Sequence, residues 1–154
     1  MLKAFKKLLD KALEQCLWIG MMAMTLTVVW QVFTRFVLRD PSGWTEELSI
    51  FLLIWIGLLG SAVALRRGAH LGIDVIVNRF SEKWRRLITI FIFVCVIWFS
   101  LSVLFIGGVD MVTVVLRNNQ ISPALGIRMG YVYLALPISG FFITMYAVEF
   151  IVHE

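Results

Sequence analysis

The sequence predicts an all-α integral membrane protein, with four transmembrane helices, an N-terminal interfacial amphipathic helix and both termini cytoplasmic. Three observations carry that reading. The 154 residues are 60% hydrophobic and 16% charged, with a mean hydropathy of +0.90, whereas a soluble domain is roughly 45–50% apolar and about 25% charged. Charge is missing altogether from four long runs. Lys and Arg are divided unequally between the segments that join those runs. The length suits one membrane domain, 1–154. The same composition excludes a water-soluble enzyme and a disordered chain, and the two Cys exclude a disulfide-stapled fold.

Residues 1–14 come first. Leu2, Phe5, Leu9 and Leu13 recur at helical spacing, and Lys3, Lys7, Asp10, Lys11 and Glu14 take the opposite face. That pattern suits a helix lying in the cytoplasmic interface. A cleaved signal peptide fits poorly, because the apolar run that follows is too long and no A-x-A-like site closes it.

The spans are expected at about 15–34, 48–65, 87–109 and 129–148, which hold 20, 18, 23 and 20 residues without a charge. A hydrocarbon core needs roughly 20 apolar residues at about 1.5 Å each in a helix. Membrane strands would be shorter and would alternate polar with apolar.

Between the first two spans, Asp40-Pro41-Ser42-Gly43 reads as a turn. Ser42 or Thr45 can cap the second helix, and Glu46 and Glu47 sit in its first turn, where the helix dipole favours acids. The third helix is expected to run past Asp110 toward Leu116. Ser122-Pro123 reads as an N-cap with Pro at the first helical position, which starts the fourth helix there. Pro137 lies mid-span and should kink that helix. The middle segment, Arg66 to Arg86, carries an apolar stretch from Leu71 to Val77 that predicts a short interfacial helix, with Trp84 as a headgroup-level anchor.

Orientation follows from Lys and Arg. The N-terminal segment and the middle loop hold ten of them, against four in the other two loops (Arg35, Arg39, Arg117 and Arg128). The positive-inside rule puts both termini in the cytoplasm. The net charge of +4 is therefore a topology signal, and no nucleic-acid partner is expected.

No Asp, Glu, Lys, Arg or His falls within the four runs. Proton relays need such groups at depth, so a self-sufficient proton-driven pump is not expected. Sodium can be held by backbone carbonyls of broken helices, but no matched pair of Gly/Pro-broken helices is evident. Cys16 and Cys95 form no motif. His70 with Asp74 has helical spacing for a metal pair, yet two ligands do not make a zinc site, and the two His give no intramembrane haem pair. No catalytic residue, cofactor or metal is expected.

Packing features are visible instead. In the second span Gly57 with Ser61, and Gly60 with Ala64, are small residues four apart, which let another helix approach closely. Ala135 with Ser139 does the same in the fourth span. Intramolecular packing is the default use of both grooves, and a second protein is the alternative. The bulky third span, Phe91 to Ile106, faces lipid by default.

The order of motifs resembles a known family. Trp44-x-Glu46-Glu47-Leu48 opens the second span, Ile54-Trp55-Ile56-Gly57-x-x-Gly60 continues it, and Arg66-x-Gly68-x-His70-x-x-x-Asp74 follows. Ser122-x-Ala124-Leu125-Gly126-Ile127 and Tyr133-x-x-x-Pro137 come later. This arrangement is similar to the small membrane (Q, DctQ-like) subunit of tripartite ATP-independent periplasmic (TRAP) transporters, over nearly the whole chain. The resemblance implies a non-catalytic scaffold, or stator, in the bacterial inner membrane. It would pair with a large multi-span subunit that carries substrate and sodium sites. A periplasmic substrate-binding protein would deliver an organic acid of the dicarboxylate or sialic acid type. Ending at Glu154, the chain resembles the unfused form.

On that reading Trp44, Glu46 and Glu47 either start the second helix or receive the binding protein, the first being favoured. Arg66, His70 and Asp74 fix the cytoplasmic loop against the large subunit or anionic headgroups, although topology explains the arginine equally well. The alternatives are a small stand-alone homo-oligomeric transporter or channel, disfavoured by the missing intramembrane charges, and a membrane enzyme or redox protein, disfavoured by the missing His and Cys pairs.

Overall fold

The computed structural model describes residues 2–40, 42–67 and 82–153. Their regular structure is helical apart from one isolated antiparallel bridge, Ile121 to Arg128. Helix α1, Leu2–Phe33, continues into a π-helical turn, Thr34–Leu38. The amphipathic stretch and the first apolar run thus form one rod. Across their junction run Lys11, Ala12, Leu13, Glu14 and Gln15, all good helix formers. Arg39 ends the rod in a left-handed conformation, φ 55°, with its N–H on the Thr34 carbonyl.

Helix α2 spans Gly43–Arg66. Helix α3 runs from Glu82–Phe99 through a π-helical segment, Ser100–Gly107, into Gly108–Arg117, and so passes Asp110 as expected. Helix α4 comprises Met129–Tyr133 and Ala135–His153, interrupted at Leu134. Pro137 accounts for the interruption: it has no N–H for the Tyr133 carbonyl, and its ring presses on that carbonyl. All four helices are long and apolar enough to cross a membrane. The Trp84–Arg117 stretch has 34 residues, about 50 Å at 1.5 Å per residue, against roughly 30 Å of hydrocarbon. Such a helix tilts or projects.

One expectation is corrected. The fourth helix does not start at Ser122. Ser122-Pro123-Ala124-Leu125 makes a single turn, in which the Leu125 N–H donates to Ser122 Oγ at 3.2 Å as an N-cap should. Gly126 then adopts φ 66° and reverses the chain. The Ser122 N–H bonds the Ile127 carbonyl at 2.9 Å and the Met129 N–H bonds that of Gln120 at 2.9 Å, so helix resumes only at Met129.

The four helices neighbour one another in the order α1–α2–α4–α3, and among the described residues α1 and α3 do not approach each other. The core lies along the middle pair, with Leu59, Ala62 and Leu65 of α2 against Ile143, Tyr146 and Ala147 of α4, flanked by Leu13 of α1 and Phe93 of α3. An open row of helices leaves much apolar surface outward, including Trp18 at 73% and Trp98 at 70% exposure.

The tightest seam joins α3 to α4. At Gly140 an added Cβ would stand 2.8 Å from Phe105 N and 3.0 Å from Ser100 O, and at Gly108 it would stand 2.9 Å from Leu136 Cβ and Pro137 Cδ. Beside this seam the Ser100 and Thr144 hydroxyls share a 2.7 Å hydrogen bond. With one proton each, one of the two hydroxyls donates to the other, and that other donates to its own helix, Ser100 to Ile97 O at 3.2 Å or Thr144 to Gly140 O at 2.8 Å. Hydroxyls that bond within the protein avoid the cost of burying an unpaired polar group in hydrocarbon. Ala135 and Ser139, paired as small residues in the sequence, are both fully buried here.

Candidate functional site

Two polar clusters close opposite ends of the row. At one end, Glu47 stands at the start of α2. Its Oε2 accepts hydrogen bonds from Ser122 Oγ at 2.7 Å, the Leu125 N–H at 3.0 Å and the Ala124 N–H at 3.2 Å. The Ser-Pro-Ala-Leu turn aims its free amide donors into one place, as the first turn of any helix does. Glu47 fills that place from 75 residues away. The loop is held behind as well. Helix α3 closes with Asn119 left-handed at φ 47°, its N–H on Leu116 O at 3.1 Å and that of Gln120 on Val115 O at 3.3 Å, the Schellman pattern.

The other residues singled out at this end behave differently. Trp44 and Glu46 are exposed in the first turn of α2. Ser42 occupies the N-cap position without bonding a backbone amide, because its hydroxyl pairs with Thr45 Oγ1 at 2.8 Å. Thr45, fully buried, donates to the Ser42 carbonyl at 2.7 Å. Neither side chain caps α2 in the expected way.

At the opposite end, Arg66 at the close of α2 bridges two acids of α1. Its Nη1 lies 3.1 Å from Asp10 Oδ2, and its Nη2 donates to Glu14 Oε1. Asp10 and Glu14 are one helical turn apart, so a single guanidinium fork reaches both. Arg67 reaches Glu14 as well, at 3.1 Å. Tyr146 of α4, only 3% exposed, donates its hydroxyl to Asp10 Oδ1 at 2.5 Å. Lys6 pairs with Glu149 and lies 5.9 Å from the centre of the Tyr146 ring. Phe93 stacks on Phe150 at 4.2 Å, bringing the start of α3 to the same end. One cluster thus ties the beginning of α1 to the ends of α2 and α4.

The sequence reading took Asp10 and Glu14 only as a polar helix face, and it did not single out Tyr146. Their i, i+4 spacing was the available signal; what it lacked was the partner. His70 and Asp74, and the 71–77 segment expected to be interfacial, lie outside the described residues. Among the described residues no group of three or more His, Cys, Asp or Glu could hold a metal ion.

The small-residue groove of α2 is open. Among the described residues nothing beyond its own helix comes within 4 Å of a Cβ added at Gly57, and at Gly60 the nearest atom is Leu17 Cδ2 at 4.0 Å. Ser61 is exposed and bonds only its own helix, to Leu58 O at 2.7 Å, while Ala64 is half-buried. Ser61 borders an apolar groove of about 730 Å³ between α2 and α3, lined also by Leu58, Leu65, Phe91, Cys95 and Phe99 and backed by Ile143 of α4. A second groove, of about 310 Å³, separates α1 from α2 and includes Cys16, Gly20 and Trp55.

Comparison with known proteins covers most of the chain. The family model described as "Tripartite ATP-independent periplasmic transporters, DctQ component" matches residues 24–154. The sialic acid TRAP transporter small permease protein SiaQ of Vibrio cholerae is 29% identical over 150 residues, covering 96% of this chain and 84% of that protein. The C4-dicarboxylate TRAP transporter small permease protein DctQ of Rhodobacter capsulatus is 34% identical over 99 residues, 61% of this chain and 41% of its own length. The isethionate TRAP transporter permease protein DctMQ of Oleidesulfovibrio alaskensis is 29% identical over 126 residues, which are 78% of this chain but only 20% of that protein.

Proposed function

Because the chain belongs to the DctQ component family of TRAP transporters, we propose that it is the fixed scaffold subunit of a sodium-coupled importer of an organic acid. It is a multi-pass membrane protein of the inner membrane and a transport component, not an enzyme. The scaffold role, the sodium coupling and the substrate class are the proposed part. In this reading a large multi-span subunit binds substrate and sodium, and a periplasmic binding protein delivers the acid, of the dicarboxylate or sialic acid kind.

The open face of α2 carries the proposal. Among the described residues no helix packs against the small-residue strip of Gly57 and Ser61, and the described helices stand in an open row. In a bilayer such strips drive helix association by close packing. The isethionate relative, a single permease protein of which this match occupies a fifth, has length to spare for a second membrane part.

The remaining assignments follow from that role. Both termini face the cytoplasm, in keeping with ten Lys and Arg on that side against four on the other. The Glu47 cluster is then periplasmic and the Arg66 cluster cytoplasmic. Residues 1–14 meet the cytoplasmic headgroup region, and the apolar cores cross at about 15–34, 48–65, 87–109 and 129–148. Trp44 and Glu46 start α2, with docking of the binding protein as their alternative. Arg66 holds α1, and His70 and Asp74 set the loop against the large subunit or anionic headgroups.

The test is gentle purification of the tagged chain from its native membranes, with mass spectrometry of what accompanies it. A much larger multi-span protein in fixed ratio is the expected result. A chain that purifies alone, or only with copies of itself, and carries flux in liposomes would overturn the scaffold reading in favour of a small homo-oligomeric transporter.

A further inference from the structure

We propose that the groove between α2 and α3 is a binding site for one anionic phospholipid. The groove is walled by Leu58 and Leu65 on one side and by Phe91 and Cys95 on the other, and among the described residues lining it Ser61 is the one with a polar side-chain oxygen. It does not stop at the bundle. Phe91 also lines an apolar recess of about 620 Å³ that follows α3 past Ile88 to Trp84. The two together make an apolar track along the lower part of α3, which suits a flexible hydrocarbon chain.

Charge complementarity at the mouth of that track selects the occupant. Trp84 is 61% exposed, as an indole at headgroup level is. Arg85, exposed beside it and one turn before Ile88, adds positive charge where the track opens. Arg66 and Arg67, at the same end of the row, are matched there by Asp10 and Glu14, so Arg85 carries the selection. A basic surface at headgroup depth attracts anionic lipid by about 1 kcal/mol per Lys or Arg, or about fivefold in affinity. The proposal does not depend on the scaffold role or on which side of the membrane this end faces.

The test uses the full-length chain, delipidated in mild detergent and titrated separately with phosphatidylglycerol and phosphatidylcholine under native mass spectrometry. The expected result is one retained phosphatidylglycerol per chain, in preference to phosphatidylcholine. Arg85→Gln should weaken phosphatidylglycerol about fivefold and leave phosphatidylcholine unchanged. Cys95→Trp fills the groove and should abolish retention of both, whereas Cys16→Trp, in the groove between α1 and α2, should not. Cys95→Phe replaces Cys95→Trp if the larger side chain prevents folding. Equal retention of the two lipids would overturn the proposal, as would binding that survives both Cys95 variants. Efficient cross-linking of Cys95 to a co-purifying protein, with no lipid retained, would also overturn it and give the groove to a partner helix.

Discussion

Replacing Gly140 with Ala should weaken this protein, while the same change at Gly57 should not. At Gly140 the new Cβ would meet Phe105 N at 2.8 Å, Leu104 Cβ at 2.9 Å and Ser100 O at 3.0 Å. Two of these are backbone atoms of α3 and cannot swing away. Comfortable carbon contacts lie at about 3.5–4.0 Å, so the helices must part by roughly 0.5–1 Å, which forfeits a quarter to a half of the dispersion energy at each contact along the seam. Overpacking of this kind costs about 1–3 kcal/mol. The better helix propensity of Ala returns at most about 1 kcal/mol, leaving a net loss of up to about 2 kcal/mol when that return is complete. At Gly57 no atom of the described residues beyond its own helix lies within 4 Å, so the isolated chain should be unchanged or slightly stabilised. Reversible unfolding of the purified chain in mixed micelles of rising SDS fraction measures both. Wild-type stability in Gly140→Ala would refute the close α3–α4 seam. A loss at Gly57 equal to that at Gly140 would refute the open face of α2.

Three further outcomes follow from the polar clusters. Glu47→Ala should strip the acceptor from the Ala124 and Leu125 amides, so hydrogen–deuterium exchange there should accelerate while the helices stay protected; Glu47→Gln, which keeps one carbonyl oxygen, should fall between. Arg66→Ala should cost about 1 kcal/mol in the same unfolding assay, and Arg67→Ala less than about 0.5, since the first bridges two acids at 22% side-chain exposure and the second reaches one at 65%. Tyr146→Phe should cost about 1 kcal/mol, because the lost hydroxyl is a close donor to Asp10 at 2.5 Å.

The four apolar helices were legible because hydrocarbon tolerates so few charges that their absence marks each crossing. The passage of α3 beyond Asp110 and the break before Pro137 were legible for equally local reasons. The start of α4 was not. Ser122-Pro123 opens a single turn in the same way as it opens a long helix, and the outcome was decided by Gly126 turning left-handed and by the bridge from Ile121 to Arg128. Glu47 could be read only as an acid suited to a helix dipole, since its partner lies 75 residues on. The small-residue pairs show the same limit. Spacing reveals that Gly57–Ser61 and Ala135–Ser139 each form a groove, but helix order decides that the second is buried and the first open.

The order α1–α2–α4–α3 also bears on how the chain is made. Helices leave the ribosome from the N-terminus onward, so α2 finds α1 already in the bilayer. For α3 the situation is different. Its one close neighbour among the described helices is α4, which has not yet been synthesised when α3 inserts. In the interval α3 must persist as a solitary span, supported by lipid alone. It is the most apolar of the four, which gives it the means to wait, and the glycine seam closes only when the last helix arrives.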